Sequence, residues 1–285
     1  MRRHPGRRQL TIFAAAYLTY FGVRAFTEGR VDRALSNAAS LVDLESWLGI
    51  AWEGAIQSLV AGSQLLQDVV NAIYIYGHWP VIIGAGVLLF RYRREHYYSL
   101  RNVCLLTGAL GLFVFAFFPV APPRLTDLPL MDTVTEGASG YRQILPVSLV
   151  NQYAAMPSFH AGWNLAVGVV VFRATRHWAL RLFALLMPAA MAFSVIATAN
   201  HFVIDVIVGV ALVTAAFTLQ SVGSRGQEKH GRDRAAPTVS PSGRAGEDAG
   251  MPTLPLTRAR GSSEASEVMP VGIPSRRTDS AHAAH

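Results

Sequence analysis

His201 and Asp205 lie four residues apart in "ATANHFVIDVIVG", which on a helix puts them on one face about one turn apart. A carboxylate so placed can accept the imidazole N–H, fix the tautomer and leave the other ring nitrogen free to attack an electrophile. His160 falls in the first turn of a second apolar run, "MPSFHAGWNLAVGVVVF", directly after Pro157 and Ser158. Unpaired backbone N–H groups and the positive end of a helix dipole at such a start favour an anion such as phosphate. Ser158 equally suits the plainer duty of N-cap, and Pro157 that of helix starter. Arg124, in "FPVAPPRL", adds a cation, with lipid-headgroup anchoring as its alternative. A lone histidine near a helix end is most often structural. Two of them at helix starts, an aspartate one turn below one and an arginine at the same depth together point to chemistry on an anionic group. Zinc competes for two histidines and an aspartate, but His-Glu-x-x-His is absent and Arg124 close by would oppose a cation.

A weaker signal lies in "QDVVNAIYIYGHWP", where Asp68, Asn71, Tyr74 or Ile75, and His78 recur near helical spacing. Such stripes in membrane helices face the bundle interior or a wet cavity. His78 thus either shapes a substrate or acceptor pocket or serves interhelical hydrogen bonding.

The elements that must position these residues are apolar. Runs approaching the roughly 20 residues needed to cross a bilayer occur at 10–26, 72–90, 102–118, 159–176, 179–199 and 201–219. They predict an all-α, polytopic membrane protein with about six spans. "MRRHPGRR" before the first run resembles a signal-peptide start, but no convincing cleavage site follows, so a retained helix is expected. Between the first two runs, residues 31–62 alternate acidic and apolar positions at helical spacing, which suits either a helix on the membrane surface or a short soluble cap. Three regions are expected: 1–71, a first span plus this interfacial segment; 72–219, the membrane-embedded core; and 220–285, a basic tail. The tail, rich in Ser, Pro, Gly, Arg and Ala, has no hydrophobic period and is expected to be disordered.

Arg2, Arg3, Arg7 and Arg8 precede the first run, Arg91, Arg93, Arg94 and Arg101 separate the second from the third, and Arg173, Arg176 and Arg181 separate the fourth from the fifth. The bias of basic residues to cytoplasmic loops then puts both termini inside. Arg124, His160 and His201 fall together at the outer, extracytoplasmic face.

Composition agrees: of 285 residues, 51% are hydrophobic and 15% charged, with mean hydropathy +0.30, too apolar for an ordinary soluble domain. The net charge of +7 comes mainly from arginines beside apolar runs and in the tail, where they set topology or touch anionic lipid. Basic and aromatic residues are not interleaved on a soluble face, which argues against nucleic-acid binding. Cys104, the only cysteine, rules out an intrachain disulfide.

At these residues the sequence resembles the type 2 phosphatidic acid phosphatase superfamily of membrane lipid phosphatases, phosphotransferases and soluble vanadium haloperoxidases. The family's Pro-Ser-x-His matches Pro157, Ser158 and His160; its His-x-x-x-Asp matches His201 and Asp205, with Ser194 at the family's serine position. The resemblance spans about 70–219. It implies that His201 attacks phosphorus and forms a phosphohistidine, that Asp205 orients it, that His160 protonates the leaving oxygen, and that Arg124 holds phosphate oxygens, with no metal or cofactor. Two family cations are replaced, a lysine by Phe117 and an arginine by Val195. "PVAPPRL" with "MPSFHAGW" and "ANHFVID" is more similar to the branch containing the inositol phosphorylceramide synthases, and Arg142 in the same outer loop is a candidate replacement charge.

These readings converge on a membrane phosphoesterase or phosphotransferase acting on a lipid phosphate or phospholipid headgroup. Water as second nucleophile makes it a phosphatase and an alcohol makes it a transferase. The rival from another class is a transporter or degenerate relative using His201 and Asp205 to handle protons; a haloperoxidase would need soluble helices and more cations. Oligomeric state stays open.

Overall fold

The computed structural model describes residues 5–27, 29–134 and 152–235. Among them the elements are helical: α1 Pro5–Thr27, α2 Val31–Leu48, α3 Glu53–Ala61, α4 Gln64–Tyr76, α5 Trp79–Tyr92, α6 Arg94–Phe117, α7 Phe159–Ala174, α8 Trp178–Ala197 and α9 Val203–Ala235. A 3-10 turn, Pro123–Leu125, follows α6. The only extended pairing among the described residues is an isolated parallel bridge between Val120 and Ala154. The protein is an all-helical, polytopic membrane protein. Arg142 lies outside the described residues.

The six expected spans are realised unevenly. By length and apolarity α6, α8 and Val203–Gly223 of α9 can each cross a membrane, and α4 with α5 makes a fourth if the pair, bent by 45°, counts as one span. The run at 72–90 is broken because Pro80 stands in the first turn of α5, where its ring cannot coexist with a continuous helix. Gly77 sits at the bend; a Cβ there would overlap the Met187 side chain and the Ile73 carbonyl. The start imposed by Pro157 and Ser158 leaves α7 with 16 residues, about 24 Å of helix, less than the hydrocarbon thickness of about 30 Å. It is instead the central helix, against which α5, α6, α8 and α9 pack, burying Ala161, Gly162, Asn164, Ala166, Val167, Gly168 and Val170. α9 extends past residue 220, to Ala235 among the described residues.

The segment 31–62 folds as two amphipathic helices. In α2, Ala34, Ala38, Leu41 and Glu45 share the buried face, the spacing of one apolar stripe. Gly49 ends the helix with φ of 70°, and the N–H groups of Gly49 and Ile50 return to the Ser46 and Glu45 carbonyls, a left-handed C-terminal cap that glycine adopts without strain. The buried stripe packs with Val120, Ala121, Ala155 and Phe202. Side chains tie the same segment to the loop after α6: Asn37 donates to the Pro119 carbonyl at 2.7 Å, and Gln57 donates to Met131 and Ala197 carbonyls and accepts the Met131 N–H. Trp47, 81% exposed, and Trp52 point away from this contact, as aromatic residues do at a membrane interface. The segment therefore caps the bundle with its buried face and leaves Trp47 and Trp52 exposed on the other.

Candidate active site

The α8–α9 turn brings the first histidine into place. Thr198 and Asn200 fold back on the end of α8, with the Asn200 and His201 N–H groups both donating to the Val195 carbonyl at 3.0 and 3.1 Å. Ala199 adopts φ of 55°, a left-handed conformation that costs an alanine about 1 kcal/mol and marks a turn held by its surroundings. Its carbonyl accepts the Arg124 N–H at 2.9 Å. The guanidinium of Arg124 continues the link, Nε donating to Asn200 Oδ1 at 2.9 Å and Nη1 to Asp132 Oδ2 at 3.4 Å. Arg124 is thus bonded to the residue beside His201.

His201 is buried, and its Nδ1 lies 2.8 Å from the Ala155 carbonyl oxygen. A carbonyl only accepts, so Nδ1 carries the proton and Nε2 keeps the lone pair. Ala155 is itself fixed, its N–H donating to the Val120 carbonyl at 3.1 Å. The expected partner, Asp205, is farther, 3.5 Å from Nδ1 through Oδ2. The same Oδ2 accepts the Phe202 N–H at 2.8 Å, so Asp205 caps the start of α9 while backing the imidazole. The sequence suggested the pair; a backbone carbonyl as nearest tautomer-setting group leaves no signal in side-chain spacing.

His160 enters from α7. Ser158 is its N-cap, completely buried, with Oγ accepting the Ala161 N–H at 3.4 Å, so the cap reading of this residue describes its geometry. The Ser158 N–H donates to the Asp205 backbone carbonyl at 3.0 Å, joining the two helix starts directly. The His160 and His201 rings stand 5.8 Å apart between centroids, so the two helix starts bring the imidazoles side by side.

His78 occupies the α4–α5 bend, buried and 4.1 Å from the His160 ring. Asn164 Nδ2 reaches both the His160 carbonyl, at 2.9 Å, and His78 Nδ1, at 3.3 Å; an amide N–H donates, so His78 Nδ1 accepts. Tyr74 stacks on His160 at 4.6 Å. Of the polar stripe, Tyr74 and His78 face the site, Asn71 bonds Thr133 in the loop, and Asp68 pairs with Gln64 at the surface. Asn164, one turn beyond His160, was within reach of spacing arguments and was missed.

Two buried glutamates were missed as well. Glu53 Oε1 accepts the Val203 N–H at 2.8 Å and Glu45 Oε1 accepts the Ile204 N–H at 2.7 Å. Burial, the neighbouring Glu53 and Asp205 raise the Glu45 carboxyl to about 8, against the lowering effect of the Ile204 bond. Among the described residues no group of three or more His, Cys, Asp or Glu is arranged to hold a metal ion.

A profile of the PAP2 superfamily matches residues 39–219 of the chain. The chain belongs to the PAP2 superfamily. As a PAP2 protein it carries the family region from within α2 to α9, so the capping segment belongs to the matched region, farther back than motif spacing indicated. It is 26% identical over 162 residues to a phosphoinositol dihydroceramide synthase of Bacteroides thetaiotaomicron, a match covering 51% of this chain and 53% of that protein. The chain thus spans about half the length of the curated relative it matches. No solved structure matches. Phe117 and Val195 stand where the resemblance expected cations; in this PAP2 protein Phe117 is 57% exposed and packs on Phe113, while Val195 is fully buried.

Proposed function

We propose that this PAP2 protein transfers or hydrolyses the phosphate-linked headgroup of a membrane phospholipid, without a metal, through a phosphohistidine on His201. The observation that carries the reading is the Nδ1–H bond of His201 to the Ala155 carbonyl, which leaves Nε2 with its lone pair on a ring 5.8 Å from that of His160. In the first step Nε2 attacks phosphorus, the P–O bond to the lipid alcohol breaks, and His160 gives its proton to the departing oxygen. In the second step an alcohol or water attacks phosphorus, its proton goes to His160 and the N–P bond breaks. Arg124 stabilises charge on the phosphoryl oxygens, Asp205 steadies the imidazolium side of His201, and Ser158 holds the start of α7. His78 and Asn164 form the wall behind His160. Arg142 remains a candidate second cation.

Two features favour a phosphodiester and an alcohol acceptor. Phe117 and Val195 replace cations and Arg124 is partly neutralised by Asp132, so the site suits a singly charged diester better than a doubly charged monoester. His201, Asp205, Ser158 and His78 are all buried, which limits access of bulk water. The relative's name, a phosphoinositol dihydroceramide synthase, supports the same direction. The arginine distribution supports an extracytoplasmic site with both termini cytoplasmic, and a tail that adds no catalytic group.

The test uses full-length protein in lipid nanodiscs with EDTA, a phospholipid carrying a labelled phosphate headgroup, and a long-chain amino alcohol amide as acceptor. Wild type is expected to form an acid-labile phosphoenzyme and move label to the acceptor, and His201→Ala to do neither. Label released only as water-soluble phosphate ester or free phosphate would favour hydrolysis. Turnover that persists in His201→Ala would refute the nucleophile.

A further inference from the structure

The first turn of α9 is capped in an unusual way. A helix start ordinarily satisfies its free N–H groups with one Ser, Thr, Asp or Asn side chain and water. Here three successive N–H groups each donate to a different buried carboxyl group: Phe202 to Asp205, Val203 to Glu53 and Ile204 to Glu45. The three come from three elements, α9 itself, α3 and α2. Glu45 is 1% exposed and Glu53 nearly as buried. Among the described residues neither forms an ion pair.

Burying two carboxyl groups without a cation is costly, so plain stability is a poor reason for them. Burial and the neighbouring Glu53 raise the Glu45 carboxyl to about 8, so at neutral pH it holds a proton and can donate as well as accept. The result is a directional bracket of three accepted N–H bonds rather than a diffuse negative patch. What the bracket grips is the backbone immediately after His201. The His201 N–H is anchored on Val195 and its ring on Ala155; the following three residues are anchored by the carboxyl groups. Helix register at this point sets where Nε2 lies.

We propose that Glu45 and Glu53 are positioning residues that hold the first turn of α9, and through it the His201 imidazole, in the orientation that attacks phosphorus. The role builds on the reaction proposed above but rests on its own geometry. Neither glutamate touches the substrate. Their action passes through backbone N–H groups, so it depends on reach and hydrogen-bond acceptance rather than on charge.

The experiment compares wild type with Glu45→Ala, Glu53→Ala and Glu45→Gln, each full length in nanodiscs. It records headgroup transfer and the 15N resonances of the His201 ring, assigned by difference from His201→Ala. Displacing His201 by about an ångström is expected to lower kcat about 100-fold for either alanine variant, with KM little changed and the single Nδ1–H signal replaced by a tautomer mixture. Glu45→Gln keeps an oxygen for Ile204 and a donor for Glu53, and is expected to recover most of the loss. Should Glu45→Ala not fold, Glu45→Asp carries the test: it keeps the acid, shortens its reach by one methylene, and is expected to lose at least tenfold in kcat. The proposal is overturned if the alanine variants keep kcat within threefold of wild type, if kcat falls while the His201 resonances stay in place, or if Glu45→Gln is as damaging as Glu45→Ala. If wild type turns over no phospholipid yet Glu45→Ala still displaces the His201 resonances, the reaction reading fails and the positioning role stands.

Discussion

Replacing Gly209 by alanine tests whether the separation of the two histidines is set by backbone contact between α7 and α9. Gly209 packs on the backbone of Ser158: a Cβ there would overlap the Ser158 carbonyl oxygen and come within 3.1 Å of its carbonyl carbon and 3.3 Å of its nitrogen. Those atoms are main chain and cannot rotate aside, so α7 must move. Ordinary carbon contacts begin near 3.5 Å, and clearing the oxygen takes about 1 Å of separation. That movement opposes the 3.0 Å bond from the Ser158 N–H to the Asp205 carbonyl and carries His160, two residues on, away from His201. A misplacement of that size is worth about 100-fold in rate, whereas stability should fall by about 1–3 kcal/mol for overpacking. Gly86→Ala is the control, because nothing lies within 4 Å of its added carbon. The assay is single-turnover phosphoenzyme formation alongside thermal unfolding in detergent. If Gly209→Ala forms phosphoenzyme within threefold of Gly86→Ala, the two histidines are not placed by this crossing.

Three further outcomes follow from the site. His160→Ala should slow transfer from lipids with ordinary alcohol leaving groups far more than from an aryl phosphodiester whose leaving group needs no proton; equal losses on both would remove it as the acid. Glu45 holds its proton in the folded protein up to about pH 8, against 4.5 for the free side chain, so its contribution to stability is full below about 4.5 and is lost as pH rises toward 8. The slope is at most about 1.4 kcal/mol per pH unit; Glu45→Gln should flatten it, and parallel unfolding-versus-pH curves for the two proteins would contradict the raised value. Phe117→Lys should leave transfer within a few-fold of wild type, since position 117 faces outward from the end of α6; a large gain would show that the ammonium reaches the phosphate.

Much of the site could be read from spacing because helices impose it. The i,i+4 relation of His201 and Asp205 and the helix start before His160 both reappear in space, and Arg124 reaches the same turn through Asn200. Apolar runs gave the helices but not their breaks and lengths, because apolarity does not register that Pro80 splits a run or that Pro157 and Ser158 shorten α7. Tertiary partners were illegible for definite reasons. Ala155 acts through its carbonyl, which every residue has. Glu45 and Glu53 read as surface acids of an amphipathic segment, although Glu45 continues the buried phase of Ala34, Ala38 and Leu41; periodicity would have flagged it had the acid not been taken as polar by default.

Position in this site is transmitted through main chain. The glutamates of α2 and α3 bond the first turn of α9, α9 offers the Asp205 carbonyl to the start of α7, and the Val120–Ala154 pairing delivers the Ala155 carbonyl to His201. Each link joins backbone to a buried acid or backbone to backbone, so none depends on the large apolar side chains that α6 and α8 turn outward, such as Leu110, Phe113, Leu185 and Leu186. Of the two positions where the resemblance expected cations, Phe117 lies outside this network, 57% exposed, and Val195 is packed shut within α8. The cation that this network does hold beside His201 is Arg124, bonded through its N–H to the Ala199 carbonyl and through Nε to Asn200.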